Sequence, residues 1–117
     1  TSCYVQYTCA RANSVLEKGG HAKDTVPEAV LPQEFEVVKK LAEFPNVLQD
    51  ALEKYEPCFI ARYAVDLAQL YNKFYFDCTI LGAEGTVRDF RLALTEATLI
   101  TLKNALALLG IGVPEKM

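Results

Sequence analysis

Residues 57–78 read PCFIARYAVDLAQLYNKFYFDC, and within them Ile60, Tyr63, Ala64, Leu67, Leu70, Tyr71 and Phe74 recur at three- and four-residue spacing. That spacing lays the apolar side chains in one stripe along a long helix. Pro57 suits the first helical position, where a backbone N–H would have no partner in the helix and the fixed φ of proline is already helical. With the rings of Tyr63, Tyr71, Phe74 and Tyr75, this helix can supply a large share of a core and still present a ring elsewhere. The other elements are expected to pack around it.

Downstream, Thr79 to Gly85 contains two glycines and no helical spacing, so it reads as a connection that turns the chain back. Thr86, with Asp89 three residues later, resembles a capping box with Asp in place of Glu. Val87, Phe90, Leu94, Ala97 and Thr101 then predict a helix that Leu106, Leu108 and Leu109 extend to Gly110. Arg88, Arg91 and Lys103 ride on it, with Glu96 or the acidic segment upstream as partners in surface salt bridges. The tail from Ile111 to Met117 is too short and too apolar for a loose linker, and something is expected to hold it.

Upstream, Pro32 opens a helix with Glu34 and Glu36 early and Lys39 and Lys40 late, an order that complements the helix dipole. Phe35, Val38, Leu41 and Ala42 are expected to face inward. Pro45 ends this helix and starts the next, which runs to about Tyr55 with Val47, Leu48, Ala51 and Leu52 buried. The two form an acidic hairpin whose charge reads as a solvated face. Residues 19 to 31 mix glycines, charges and Pro27 without periodicity and read as a mobile loop with room for one short turn.

The chain opens with a helix over about residues 3–18, capped by Ser2 and left through Gly19-Gly20. Val5, Thr8, Cys9, Ala12, Val15 and Leu16 share its apolar face. Tyr4, Tyr7 and Arg11, three and four residues apart, make a second stripe offset from the first. Two readings are open for it. In one, the rings are half-buried packing residues beside a solvated charge. In the other, they are a stacking platform with a charge-assisted donor, suited to an unpaired base.

With 117 residues, half of them apolar and under a quarter charged, the chain suits one globular domain, and no apolar run reaches the length of a bilayer span. It begins at Thr1 without the pattern of a signal peptide, which suggests a piece excised from a larger protein. Cys3, Cys9, Cys58 and Cys78 form no CxxC pair, and His21 completes no usual zinc set with them. Buried, reduced thiols and a cytoplasmic location are the expectation. The net charge of −3 is uneven: residues 21–57 hold four basic and eight acidic side chains, while 1–20 hold two and one and 58–117 hold six of each. An anionic partner would therefore meet the first and last parts of the chain. No catalytic constellation emerges. Gly82 and Gly85 lack the lysine and spacing of a phosphate loop, and Asp66 and Asp77 read as surface carboxylates. Spacing and composition alone lead to an all-α bundle of about five helices that binds or docks.

Five pieces of the chain, in three regions, say more. Residues 4–11, YVQYTCAR, resemble the YVQYAHAR segment that begins the C-terminal domain of arginyl-tRNA synthetases. Residues 108–117, LLGIGVPEKM, resemble their LLGIxxPERM terminus. Between them Tyr63 to Ala68 is similar to YxxELA, Asn72 to Tyr75 to NxFY, and Arg91 to Leu94 matches RLAL. Order and spacing together cover the chain from end to end. The resemblance implies an all-helical anticodon-binding domain of the DALR type over residues 1–117, with tRNA(Arg) and a catalytic domain in cis as partners and neither DNA nor a membrane. It also implies that the parent uses ATP and Mg²⁺ in a domain with HIGH- and KMSK-like motifs that this chain lacks, so that the fragment holds no cofactor and is inactive alone. Carried over by position, Tyr4, Tyr7, Arg11, Tyr75 and Met117 match residues that approach the anticodon loop. Thr8-Cys9 stands where the family has Ala-His, removing a ring donor near that surface, and Lys116 replaces an arginine. The alternatives are a helical protein-docking module or the similar domain of cysteinyl or glycyl enzymes, against which the PEKM ending argues.

Overall fold

The computed structural model describes residues 2–20, 27 and 29–110. Among them lie five helices and no strand: α1 (Ser2–Gly19), α2 (Pro32–Ala42), α3 (Phe44–Lys54), α4 (Pro57–Asp77) and α5 (Gly85–Leu108). The long helix α4 packs against each of the other four, and α5 also packs along α1 and α2. Ile60, Tyr63, Ala64, Leu67, Tyr71 and Phe74 of the expected stripe are buried, with Leu70 half-buried at its edge. From α1, Val5, Thr8, Cys9, Ala12 and Val15 meet them. The loop residues 21–26 and 28 and the tail 111–117, with His21 and Met117, lie outside the described residues.

Helix ends follow local chemistry. Gly20, at φ +80°, closes α1 with its N–H on the Leu16 carbonyl at 2.8 Å, a left-handed exit that a Cβ would strain. Tyr55 takes the same left-handed position at the end of α3, at φ +53°, just before Glu56 and Pro57 start α4. The expected capping box at Thr86 does not form. Gly85, at φ +61°, turns the chain into α5, so the helix begins two residues earlier, with Glu84 as its cap and no side-chain capping bond.

Two short-helix expectations are corrected. On α2 the buried residues are Glu34 and Val37, and of the expected inward set only Leu41 packs against the core, half-buried; Phe35 is 55 % exposed and Val38 and Ala42 are exposed too, so the inward face is rotated by about one residue. The cause is Glu34. Its Oε1 accepts the Leu31 N–H at 2.8 Å and its Oε2 accepts from Arg91 Nε at 3.0 Å, while Arg91 Nη1 donates to the Thr79 carbonyl at 2.6 Å. Arg91 does pair with the acidic hairpin, but Glu34 is 2 % exposed, so this is a buried tie between α2, α5 and the α4–α5 connection rather than a surface salt bridge. On α3, Ala51 is buried, Val47 and Leu48 are half-buried and Leu52 is exposed. On α5 the buried residues are Leu92, Leu94, Thr95, Thr98, Leu99, Leu102, Ala105 and Leu106; of the expected pattern Leu94 and Leu106 are among them, while Val87, Phe90, Ala97 and Thr101 are half-buried beside them. All four cysteines are free; Cys9 and Cys78 are buried, Cys3 and Cys58 exposed.

The core titrates at alkaline pH. Burial pushes the Tyr71 phenol from 10.0 up to about 12, opposed by its hydrogen bond with Thr95, and the Cys9 thiol from 9.0 up to about 11, opposed by Lys103. Burial shifts Tyr63 and Cys78 the same way. The folded state thus keeps protons that the unfolded chain releases, so stability is full below about pH 9 and falls as pH rises toward 12. Urea midpoints measured across that window are expected to decline, and Tyr71→Phe should flatten the decline above pH 10.

Candidate nucleic-acid interface

The offset stripe of α1 meets the C-terminal half of α4. Tyr4 and Tyr7 are 39 % and 43 % exposed, and Arg11 is half-buried between the helices. Asn72 of α4, 7 % exposed, organises them. Its Nδ2 donates to Tyr4 Oη and to Thr8 Oγ1, each at 2.9 Å, and its Oδ1 accepts from Arg11 Nη1 at 2.9 Å. Both amide N–H groups and the amide oxygen are thereby used, which fixes the orientation of the amide. Thr8 Oγ1 in turn donates to the Tyr4 carbonyl at 3.0 Å.

The guanidinium is held from every side. Arg11 Nη2 donates to Tyr7 Oη at 2.8 Å. Its Cζ lies 4.4 Å from the Tyr75 ring centre and 4.9 Å from those of Tyr7 and Phe76. Tyr75 also meets Phe76 edge-on at 5.5 Å and Tyr71 at 6.4 Å, which ties the outer rings to the core. Because the Tyr4 and Tyr7 oxygens accept their hydrogen bonds here, their own O–H protons remain free to turn toward a ligand, beside guanidinium N–H groups that the two bonds do not use. The face offers donors, positive charge and ring surface. Such a set suits acceptor edges of an unpaired base and phosphate oxygens.

The structure thus brings Tyr4, Tyr7, Arg11 and Tyr75 together, while Met117 lies outside the described residues. Sequence reasoning missed Asn72 and Phe76. A signal existed: Asn72, Tyr75 and Phe76 stand three and four residues apart, the same spacing that marked Tyr4, Tyr7 and Arg11. Of the two departures in the first helix, Cys9 is fully buried in the core and takes no part in the surface, whereas Thr8 belongs to the network that holds Asn72. A cavity of about 240 Å³ elsewhere, between α2, α3 and α4, is lined by Lys40, Phe59, Tyr63 and Asp66. There Lys40 already pairs with Asp66 at 3.7 Å and Glu43 at 3.8 Å. Among the described residues no group of three or more His, Cys, Asp or Glu stands ready to hold a metal ion, and no helix is long and apolar enough to cross a membrane.

An all-helical domain with a cation clamped among exposed rings has the build of a module that takes single-stranded nucleic acid. More narrowly, the chain belongs to the DALR anticodon binding domain family, whose model matches residues 5–117. It is 48 % identical over its whole length to an arginine–tRNA ligase of Lactococcus lactis and 42 % identical to one of Streptococcus pneumoniae. Its fold superposes on arginyl-tRNA synthetase of Thermus thermophilus with a TM-score of 0.91 at 34 % identity, covering 100 % of this chain and 21 % of that one. The chain spans about a fifth, 21 %, of the length of each of these relatives.

Proposed function

We propose that residues 1–117 form a single anticodon-binding domain of an arginine–tRNA ligase and that its face of Tyr4, Tyr7, Arg11 and Tyr75 receives the anticodon loop of tRNA(Arg). The observation that carries this reading is the clamp itself: a guanidinium fixed by Asn72 and within 5 Å of three ring centres, on an open surface. Arginine anticodons share only their middle C. Its N3 and O2 are acceptors, and a donor-rich, ring-lined face is what such a base needs once it is splayed out of the loop. Met117 is assigned to the same surface on resemblance alone. ATP and Mg²⁺ would act in a catalytic domain outside this chain, and the whole enzyme would work in the cytoplasm, with neither DNA nor a membrane as partner.

The test is a titration of the chain with an arginine anticodon stem-loop beside the same loop with its middle C replaced. Affinity is expected to fall about tenfold with the replacement, the scale of one well-made set of base-edge contacts. Equal affinities that decline together with salt would leave the face with phosphate contacts only and sink the base-reading part of the proposal.

A further inference from the structure

Phe76, in the last turn of α4, is 72 % exposed, on the side of the helix away from the fully buried Phe74 two residues earlier. It is not loose: its ring stands edge-on to Tyr75 at 5.5 Å and 83°, and 4.9 Å from the Arg11 guanidinium. So large an apolar ring left in water forgoes the burial that would ordinarily draw it into the core. Its neighbours on the face, Tyr4, Tyr7 and Arg11, all carry groups that form hydrogen bonds, whereas phenylalanine carries none. A phenyl ring cannot read the edge of a base, but it can stack on any base, since every base has a π-face.

We infer that Phe76 is a second base-stacking position on this face, holding a base next to the middle C without reading which base it is. The inference rests on the anticodon-loop reading above and divides its labour. The hydrogen-bonding groups around Arg11 take the base that all arginine anticodons share. Phe76 takes a flanking base that varies among them, and its lack of polar atoms makes the variation harmless. Arg11 joins the two positions, being within 5 Å of the rings of Tyr7, Tyr75 and Phe76 alike.

The test titrates the full chain, Phe76→Leu and Phe76→Trp with a set of anticodon stem-loops that keep the middle C and vary both flanking bases. Leucine keeps an apolar cover over the guanidinium and removes the π-face; tryptophan enlarges it. Phe76→Leu is expected to bind every loop of the set about tenfold more weakly, with the preference for the middle C and the helicity both unchanged, and Phe76→Trp to bind at least as tightly as the unaltered chain. Three results would overturn the inference while leaving the anticodon reading in place: Phe76→Leu binding within twofold of the unaltered chain, a loss confined to one flanking base, or a loss that tracks lost helicity. Failure of the unaltered chain to prefer the loop to its stem alone would bring down the anticodon reading and this inference with it.

Discussion

Replacing Arg91 with methionine is expected to destabilise the fold by about 3 kcal/mol, the usual scale when one partner of a buried ion pair is removed. Methionine keeps most of the apolar stem, so the loss is mainly electrostatic. Glu34, 2 % exposed, would be left with a carboxylate oxygen facing no donor, and the Thr79 carbonyl would lose its guanidinium as well. For a domain of this size the loss corresponds to a drop of roughly 15 °C in Tm. The double variant Glu34→Leu with Arg91→Met should recover much of it, because no charge is then stranded. Recovery should stop short by about 1 kcal/mol, since the Leu31 N–H, now bound to Glu34 at 2.8 Å, would also lose its acceptor. Urea unfolding of both variants measures the pair directly. If Arg91→Met unfolds within 0.5 kcal/mol of the unaltered chain, water reaches Glu34 and the pair is no structural tie.

The same ion pair shows where a sequence stops being legible. The stripe on α4 announces itself because Ile60, Tyr63, Ala64, Leu67, Tyr71 and Phe74 need only their own spacing to define a face, and all six are buried. On α2 spacing misleads. Phe35 and Val38 look like the inward face, and a glutamate looks like a solvent residue, because apolar character is the only signal that a short helix carries. What turns the helix by one position is Arg91, 57 residues downstream, and no local pattern in α2 mentions it. Leu52 on α3 misleads in the same way: it is apolar and well spaced, yet it stands 65 % exposed at the rim of an open pocket that it shares with Leu48, Ala51, Ile60 and Leu108, which nothing among the described residues covers.

At the ring face the legible part is what one helix can hold. Tyr4, Tyr7 and Arg11 are spaced so that a single helix sets them side by side, whatever else the fold does. Tyr75 entered by resemblance, since nothing in the spacing of α4 says that its C-terminal half lies against α1. Asn72 is spaced with Tyr75 and Phe76, but that spacing does not reveal its role. Its position inside the apolar half of a core helix reads as an ordinary interruption, and its three partners, Tyr4, Thr8 and Arg11, lie more than sixty residues earlier. A buried side-chain amide must be satisfied, so once α1 and α4 are together Asn72 can serve only that cluster.

The largest effect on binding is expected at Arg11, where Arg11→Ala should weaken the anticodon loop by about 100-fold, at the upper end of what charge-assisted hydrogen bonds contribute. The side chain is half-buried and its charge is not part of the core, but Asn72 Oδ1 loses its donor, so urea stability should fall by about 1 to 2 kcal/mol without unfolding the domain. Arg11→Lys separates charge from shape. An ammonium can sit among the same rings, but it cannot send one N–H to Asn72 Oδ1 and another to Tyr7 Oη while keeping a further edge for a base, as the planar fork does. Lysine should therefore restore the salt dependence of binding and little of the preference for the middle C. Asn72→Ser offers the complementary experiment, because Asn72 is buried with its amide spent on Tyr4, Thr8 and Arg11: it should leave the number of charges, and hence the salt slope, unaltered while weakening binding several-fold. If lysine at position 11 instead preserved the preference for C, the guanidinium would be acting as a charge among rings, and the reading of the base would have to come from the O–H groups of Tyr4 and Tyr7.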